Sequence, residues 1–363
     1  MSKHIKVLYV TRRFPPSTGG MENFAFDLSQ ELSKKVDLSL IKWGGSNRWL
    51  PLILPWIFVR SLWVLLRYPG IDVIHMQDVM LSPFGWLLSK VFRKPYFVVG
   101  HGLDITYDNW LYQKIVPFFM VRAKRLFCIS TETANQAIAR GAKNALFIPI
   151  GAHSPKRKQK AVKLTHEFSE LKNRQILLTV GRLVERKGVD WFINNVMPSL
   201  VDVNPEILYV VVGGGEMQDQ IQKSTVSNKL SSYVKLVGRV SEEEKKALYR
   251  LADLFIMPNI RIAGDMEGFG LVAHEAVLSE LPVVATGIEG IKDALDDGKN
   301  GILLEEKDAK AYQERIIHFL SNPEESIKFG KKAKEYTLEK FSWGKIADDY
   351  INEYKRAIDE KSP

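Results

Sequence analysis

Short apolar segments alternate with helical segments through both halves of the chain, and this alternation restricts the possible folds more than any other feature. The strand candidates of the first half span residues 5–10, 36–43, 71–77, 95–101, 125–130 and 144–150. Those of the second half span residues 176–181, 206–213, 233–238, 254–258, 281–286 and 301–305. Strands that alternate with helices form parallel sheets covered by helices on both faces. The pattern therefore predicts an α/β fold with one such sheet in each half.

The length of 363 residues also favours two domains, because single cores rarely grow beyond about 250–300 residues. Between the halves, residues 154–163 carry five positive charges and no acidic residue, a composition typical of an exposed linker. We predict an N-terminal domain over residues 1–153, a basic linker over 154–165 and a C-terminal domain over 166–344.

Residues 266–286 place two carboxylates eight positions apart around a glycine-rich helix start. Glu267 precedes the Gly-Phe-Gly sequence at 268–270, and Glu275 lies inside the helix that is predicted from Leu271 onward. Unpaired amides at such a helix start favour phosphate or sugar oxygens, and carboxylates accept hydrogen bonds from hydroxyl groups. The pattern predicts recognition of a ligand with both phosphate and vicinal diols, such as a nucleotide-sugar. An ordinary helix with solvent-facing glutamates is the alternative.

The net charge of +9 belongs to the first half of the chain. Residues 1–150 contain 19 Lys and Arg against 9 Asp and Glu, whereas residues 151–363 contain 32 against 33. A basic domain binds either nucleic acid or an anionic membrane. The sequence has no zinc-ligand spacing, recognition-helix pattern or RNP-like aromatic motif, so we expect a membrane surface and no nucleic acid.

Cysteine usage and the first residues indicate the compartment. Cys128 is the only cysteine, so no internal disulfide can form, and a reducing compartment is expected. The apolar run at residues 5–10 is too short for a signal peptide. We predict a cytoplasmic protein that associates peripherally with the inner face of the cell membrane.

Residues 49–66 are apolar enough to resemble a membrane span, but Pro51, Pro55 and Arg60 argue against spanning. At 100° per residue, one helical face holds Trp49, Leu52, Trp56, Arg60, Trp63 and Arg67, and the opposite face holds Leu54, Phe58, Leu62 and Leu65. Trp and Arg are favoured in the headgroup region. We predict that Trp56, Arg60, Trp63 and Arg67 contact the membrane or the acceptor. A fully buried core helix is the alternative.

Two site types are not supported by the spacing of the residues. The glycines at 213–215 lack the third glycine of the dinucleotide fingerprint, where Gln218 stands. No two aspartates are two positions apart, so the DxD arrangement for Mg²⁺ or Mn²⁺ is missing. We expect no metal and no cofactor, with a diphosphate neutralised by side chains and helix dipoles.

The chain resembles the retaining glycosyltransferases of the GT-B type, in the large group that includes bacterial mannosyl- and glucosyltransferases for lipids and polysaccharides. Besides 266–286, the ordered matches are a first phosphate-facing loop, a His loop, a GR turn with a KG helix start, and two later strand ends, at residues 13–32, 98–105, 177–193, 209–216 and 234–244. The resemblance spans nearly the whole chain. It implies two Rossmann-like domains facing across a cleft, with a last helix at about 345–358 that packs back on the first domain.

The resemblance also implies residue roles. Arg182 and Lys187 are expected to hold the leaving diphosphate, one as a planar fork and one as a point charge. Glu275 is expected to accept from the ribose hydroxyls and His101 to contact the sugar. Glu267 with the amides of Phe269, Gly270 and Leu271 is expected to grip the transferred sugar and phosphate. The remaining donor-binding candidates are Gly19, Gly20, Gly181, Gly268 and Val240, with Arg12 and Arg13 near the first glycines and Gly238 and Arg239 beside Val240.

The function that these expectations describe is transfer of a hexosyl unit from a UDP- or GDP-sugar to a lipid-linked or glycan acceptor with retention at the anomeric carbon. The resemblance implies that the leaving diphosphate helps to deprotonate the acceptor, and Asp104 or Glu267 could assist. Leu281, and a segment at 259–266 longer than is common, leave the donor sugar open. A nucleotide-sugar 2-epimerase or hydrolase, and a non-catalytic nucleotide-sugar or membrane binder, are the alternatives.

Overall fold

The computed structural model describes residues 4–17, 19–152, 171 and 174–360. The chain divides into two compact units, the first formed by Met1–Gly151 with Phe341–Pro363 and the second by Ala152–Lys340. We call them unit 1 and unit 2. The basic linker predicted at 154–165 lies outside the described residues.

Unit 1 is built on a six-stranded parallel sheet with the order β2-β1-β3-β4-β5-β6. The strands are β1 (Lys6–Thr11), β2 (Asp37–Lys42), β3 (Val73–Met76), β4 (Tyr96–Gly100), β5 (Arg125–Cys128) and β6 (Ala145–Phe147). The central strands β3 and β4 are buried at every position. They read as continuous apolar runs because helices cover both faces of the sheet.

The helices of unit 1 are α1 (Gly20–Ser33), α2 (Leu50–Arg67), α3 (Ser82–Phe92), α4 (Trp110–Met120), α5 (Thr131–Ala139) and, from the end of the chain, α14 (Trp343–Asp359). Helices α2 to α5 pack on one face of the sheet, against a core that includes Leu8, Ile74 and Val98. Because side chains alternate along a strand, Tyr9, His75 and Phe97 point to the other face. There the Tyr9 hydroxyl donates to the backbone carbonyl of Ala25 in α1, and His75 and Phe97 contact Tyr354 of α14.

A buried histidine joins α14 to the sheet of unit 1. The hydroxyl of Tyr354 lies 2.7 Å from Nδ1 of His75, whose Nε2 lies 2.8 Å from Oε1 of Gln77. The imidazole stacks on Tyr9 with ring centres 4.7 Å apart. Burial lowers the pKa of His75 to about 4. The ring is therefore neutral, accepting from Tyr354 and donating to Gln77.

Unit 2 contains a second six-stranded parallel sheet, with the order β12-β11-β10-β7-β8-β9. Its strands are β7 (Gln175–Val180), β8 (Ile207–Val212), β9 (Val234–Gly238), β10 (Leu254–Met257), β11 (Val283–Thr286) and β12 (Ile302–Leu304). The strands of both units overlap the predicted segments. The α/β prediction of one parallel sheet in each half is thus confirmed.

The helices of unit 2 follow the strands in alternation. They are α6 (Val189–Asn195), α7 (Met197–Val203), α8 (Gln218–Ser227), α9 (Glu242–Leu251), α10 (Leu271–Leu278), α11 (Ile291–Ala294), α12 (Ala309–Ser321) and α13 (Pro323–Lys340). Helix α9 begins with a capping box, in which Ser241 and Glu244 satisfy each other's backbone N–H. Three glutamates in its first turn complement the helix dipole.

Helix α2 exposes the predicted Trp/Arg face. Trp56 and Trp63 are each 47% exposed, and Arg60 and Arg67 are exposed as well. On the other side, Ile57, Val64 and Leu65 are buried and Phe58 and Leu62 pack against the core. The alternative of a fully buried core helix is therefore wrong. Within the described ranges, α2 is the one helix whose length and apolar composition would suffice to cross a membrane.

The contact between Tyr354 and His75 generates a stability prediction. Tyr354→Phe removes the donor to a buried ring nitrogen, and leaving such a group unpaired costs about 1–3 kcal/mol. We expect the melting temperature of unit 1 to fall by several degrees in thermal unfolding followed by circular dichroism. Tyr68→Phe, at a tyrosine that is 50% exposed, is the control and should melt like the wild type. Equal melting of both variants would show that the hydrogen bond contributes nothing.

Candidate active site

The sheet of unit 2 reverses its strand order between β7 and β10. Strands β8 and β9 follow on one side, and β11 and β12 on the other. In open parallel sheets, ligands bind beyond the carboxyl ends of the strands at such a reversal point. The loop after β7 contains Gly181, Arg182 and Lys187, and the loop after β10 contains Glu267 and residues 268–270. The predicted donor residues of unit 2 therefore lie at this edge.

The two loops touch where Gly188 ends a short 3₁₀ turn at Glu185–Lys187. Gly188 has φ = 64°, and a Cβ added there would lie 1.8 Å from the carbonyl oxygen of Pro258. Only glycine avoids both the strain and the clash. The backbone amide of Ile260 also donates to the carbonyl of Arg186, at 2.9 Å.

Glu267 is the centre of a buried ion cluster. Its Oε2 accepts hydrogen bonds from Arg186, Lys187 and Asn259, the last at 3.0 Å. Arg186 also donates to Oδ1 of Asp265, at 3.0 Å. The side chains of Arg186, Lys187 and Glu267 are each about one-tenth exposed. Charges removed from water to this degree are stable only when they are paired in this way.

This cluster keeps Glu267 ionised. Burial alone would raise the pKa of Glu267, but the charges and hydrogen bonds of Lys187 and Arg186 outweigh burial and lower it to about 2. The Glu267 backbone amide donates to Glu289, at 2.6 Å. Glu267 is thus fixed at both its backbone and its carboxylate.

Arg186 is a site residue that the sequence analysis missed. The signal was present, since Arg186 lies directly before Lys187 in a loop that already held Arg182. Arg182 differs from both because it is exposed, and its guanidinium makes no hydrogen bond or ion pair with the rest of the described chain. A planar cation in this state is available to an anionic ligand.

Helix α10 begins at the same edge without a side-chain cap. Its N-cap is Gly270, in the left-handed region at φ = 83°, and no side chain in the described part of unit 2 accepts from its first amides. The first amides of a helix have no partner within the helix, and the helix dipole adds partial positive charge there. The start of α10, at Leu271 after Phe269 and Gly270, is therefore open to an anion, and phosphate binding there stays a prediction.

Glu275 lies about one turn inside α10, and two side chains of α9 hold it. Oε2 of Glu275 accepts from the hydroxyl of Tyr249 at 3.0 Å, and Lys245 lies within 3.2 Å of the carboxylate. Burial lowers the pKa of Lys245, but the charges and hydrogen bonds of Glu275 and Glu242 together outweigh burial, and the net shift is upward. The Glu275 side chain remains 38% exposed, so it can still accept further hydrogen bonds.

The glycines after β8 serve close packing of loops. Gly213 has φ = 135°, and a Cβ there would lie 1.8 Å from the carbonyl oxygen of Gly181. Its amide donates to the carbonyl of Gly238 at 2.7 Å. The candidates Gly181, Gly238 and Val240 therefore lie along neighbouring strand ends.

The predicted residues of unit 1 also lie at strand ends. His101 follows β4 and is half-buried, with Nε2 2.8 Å from the carbonyl oxygen of Gln77 and its backbone amide 2.7 Å from Oδ1 of Asp104. Burial raises the pKa of Asp104. Gly19 and Gly20 lie at the start of α1.

The arginines near these glycines are paired within unit 1. Arg12 is buried against Asp78 at 3.1 Å, and Arg13 contacts Glu22 at 3.1 Å. Their charges are thus partly neutralised, which the sequence did not indicate. That the residues of both units form one site stays a prediction. Over the described ranges, no group of three or more His, Cys, Asp or Glu side chains is placed to hold a metal ion.

Comparison with known proteins assigns the family. The family described as glycosyl transferases group 1 matches residues 163–336. A GDP-mannose-dependent alpha-(1-6)-phosphatidylinositol monomannoside mannosyltransferase of Mycolicibacterium smegmatis is 30% identical, over 93% of this chain and 95% of the relative. The chain belongs to the glycosyl transferases of group 1. A D-inositol 3-phosphate glycosyltransferase of Corynebacterium jeikeium is 25% identical, over 80% of this chain and 74% of the relative.

Solved structures show that this group 1 glycosyltransferase has the GT-B fold. Anabaena HepE in complex with UDP aligns with a TM-score of 0.74 and 17% identity, covering 97% of this chain and all of that chain. Sucrose-phosphate synthase from Thermosynechococcus elongatus aligns with a TM-score of 0.73 and 19% identity, covering 99% of this chain and all of that chain. The predicted GT-B fold of two Rossmann-like domains is thereby confirmed.

The ion cluster of this glycosyltransferase generates a second stability prediction. Glu267→Gln leaves two buried cations against a neutral amide, and breaking a buried pair in this way costs about 3–5 kcal/mol. We expect unit 2 to lose about 3 kcal/mol at pH 7 in urea unfolding followed by circular dichroism. Glu306→Gln, which breaks the more exposed pair with Arg261, is the matched control and should cost below about 1 kcal/mol.

The same variant has a defined pH dependence. The pKa of Glu267 falls from 4.5 to about 2 on folding, so its stabilising contribution is complete above pH 4.5 and is lost as the pH falls toward 2. The difference in stability between wild type and Glu267→Gln should therefore shrink below pH 4.5. A difference that stays constant over this range would contradict the assigned pairing.

Proposed function

We propose that this glycosyltransferase transfers a hexosyl unit from a nucleotide-sugar to a lipid-linked or glycan acceptor at a membrane surface. The observation that carries the proposal is the edge of unit 2 at the β7/β10 reversal. There the uncapped start of α10, the unpaired Arg182 and the partly exposed Glu275 offer amides, a planar cation and a carboxylate. These are the groups that phosphate oxygens and sugar hydroxyls require.

Each residue has a role in this proposal. Arg182 and Lys187 hold the diphosphate, with Lys187 kept in place by Glu267. The amides of Phe269, Gly270 and Leu271 bind phosphate and sugar oxygens together with Glu267, Gly268 and Gly181. Glu275 accepts from the ribose hydroxyls, and Val240 contacts the base. The sugar contact of His101 and the donor contacts of Gly19 and Gly20, in unit 1, stay predictions.

The donor is a UDP- or GDP-linked hexose. The Mycolicibacterium relative is named as GDP-mannose-dependent, and Anabaena HepE was solved with UDP and with UDP-glucose. Both are consistent with a nucleotide-sugar, and they differ in the base. The transfer assay described below distinguishes uracil from guanine.

We propose a retaining, metal-independent mechanism. The bond from the anomeric carbon to the diphosphate oxygen breaks, the acceptor oxygen bonds to the same face of that carbon, and the acceptor proton passes to the leaving diphosphate. The protein must then stabilise the negative charge that develops on the diphosphate. Arg182, Lys187 and the dipole of α10 supply this stabilisation, and removing one such donor typically costs about 3 kcal/mol of transition-state stabilisation.

We propose that the acceptor lies at the inner face of the cell membrane and that α2 contacts this membrane. The exposed face of α2 carries aromatic rings beside cations, and the Arg60 guanidinium lies 4.5 Å from the centre of the Trp63 ring. Arg67 lies similarly over Tyr68, at 5.5 Å. Side chains of this kind keep an apolar body and a charged or polar end in contact with different depths of a headgroup layer.

The function is tested by sugar transfer in the presence of EDTA. The wild type is incubated with UDP-, GDP- and ADP-hexoses and a lipid extract, and products are separated by mass spectrometry. Arg182→Ala should lower kcat about 100-fold or more, because it removes a charge-stabilising donor. Lys223→Ala, at an exposed lysine on α8, should leave it unchanged.

Three outcomes would contradict parts of this proposal. A sugar isomer formed without any acceptor would identify an epimerase, and donor binding without turnover would identify a binder. A strict requirement for added Mg²⁺ or Mn²⁺ would contradict the metal-independent mechanism.

The role of α2 gives a separate prediction. Each basic residue near an anionic bilayer contributes on the order of 1 kcal/mol, and this part is screened by salt. The double change Arg60→Glu with Arg67→Glu should sharply reduce co-sedimentation with anionic liposomes at low salt. Nucleotide binding should be unaffected, because the proposed nucleotide contacts lie in unit 2. Liposome binding equal to that of the wild type would exclude α2 as a membrane contact.

A further inference from the structure

Helix α4 has a second apolar face that the core of unit 1 does not use. Val116 and Met120 are buried against the sheet. On the outer side Trp110 is 75% exposed, Phe118 49%, Leu111 48% and Ile115 41%. We call these four side chains the α4 surface. Contiguous exposed apolar patches on soluble proteins mark interaction sites.

The α4 surface is continuous along the helix. Residues 110, 111, 115 and 118 are separated by one, four and three positions, so they lie along one side of α4. They border a shallow depression of about 380 Å³, which is also lined by Lys114 and Phe119. The depression is shallow and open to solvent.

Helix α3 connects the α4 surface to α2. Trp86 of α3 packs against Phe119 with ring centres 5.3 Å apart, and Phe84 of α3 packs against Phe58 of α2 at the same distance. Helix α3 itself exposes Leu87 and Val91, at 42% and 60%. The exposed apolar area therefore extends over three neighbouring helices on one face of the unit 1 sheet.

The charges of this area are of one sign. Helices α2, α3 and α4 contain no Asp or Glu, and their charged residues are Arg60, Arg67, Lys90 and Lys114. Directly after α4, the guanidinium of Arg122 lies 3.4 Å from the centre of the Phe118 ring and donates to the carbonyl of Phe118. Asp108 is exposed just before α4, but the three helices themselves carry only cations. Apolar rings on such helices are complementary to a partner that is apolar inside and anionic at its surface.

We infer that the α4 surface inserts into an anionic phospholipid bilayer together with α2, so that the membrane contact of unit 1 spans α2, α3 and α4. The inference rests on the proposed function at a membrane surface, and it assigns a second insertion element. Trp110 and Phe118 are its apolar anchors, and Lys114 and Arg122 contact the lipid phosphates. The two helices hold unit 1 at two separated points, which fixes its orientation to the bilayer plane.

The test uses vesicles of phosphatidylglycerol and phosphatidylcholine and the double variant Trp110→Ser with Phe118→Ser. The two substitutions remove apolar area that would be buried in the bilayer, so loss of two half-inserted rings should weaken vesicle partitioning by about tenfold or more. The matched control is Ile138→Ser, at an α5 residue of unit 1 that is 56% exposed and lies outside the three helices. It should bind vesicles like the wild type.

Salt dependence separates the α4 contribution from that of α2. The apolar part is insensitive to salt, so the deficit of the α4 variant should persist at high salt. The deficit of Arg60→Glu with Arg67→Glu should shrink there, because salt screens charges. Circular dichroism and nucleotide-sugar binding like those of the wild type confirm that the α4 variant is folded.

The inference and the proposed function fail in different ways. Vesicle binding by the α4 variant equal to that of the wild type overturns the inference and leaves the α2 contact intact. If the wild type self-associates and the α4 variant does not, while both bind vesicles equally, the surface is an interface between copies and the inference is wrong. If the wild type transfers sugar but does not bind the vesicles, both proposed membrane contacts are wrong, whereas the proposed sugar transfer stands.

Discussion

The carboxylate of Glu267 is the contact on which the candidate site in unit 2 depends. It joins the loops after β7 and β10, which leave the sheet on either side of its order reversal, through Arg186, Lys187 and Asn259. The cluster itself is neutral, because Arg186 and Lys187 are balanced by Glu267 and Asp265. The positive potential at this edge therefore comes from the exposed Arg182 and the uncapped start of α10, which the cluster holds in place.

The two units have similar sheets, but their polar and charged groups lie in different places. In unit 2 the polar and charged groups gather at the strand ends, where close loop packing at Gly188 and Gly213 keeps the backbone in place. In unit 1, Arg12 and Arg13 near the strand ends form ion pairs with Asp78 and Glu22. On the outer helix α2, Arg60 and Arg67 are exposed beside aromatic rings.

The sequence predicted the strands and the sheet type because buried parallel strands are continuous apolar runs. It also predicted the exposed face of α2, since helical periodicity separates the Trp/Arg face from the buried face. It did not predict the partners of Glu267, because ion pairs between residues about 80 positions apart depend on which strand ends become neighbours. The same holds for the pair of Arg12 with Asp78, whereas Arg13 pairs with Glu22 only nine positions away. The spacing of the glycines at 213–215 argued against a dinucleotide site. Their packing role could not be predicted, because it depends on how closely the carbonyl of Gly181 approaches Gly213 in the fold.

Helix α14 makes unit 1 discontinuous in the chain, and this has a consequence for biosynthesis. Residues 343–359 leave the ribosome after all of unit 2, yet they supply the hydroxyl and rings that enclose His75. Unit 2 is contiguous and can complete its core during translation. The face of the unit 1 sheet that α14 packs against stays incompletely covered until α14 has been synthesised. The unit whose synthesis begins first is thus completed by the last helix of the chain. Without α14, the rings of His75, Phe97 and Phe127 lack their contacts with Tyr350 and Tyr354.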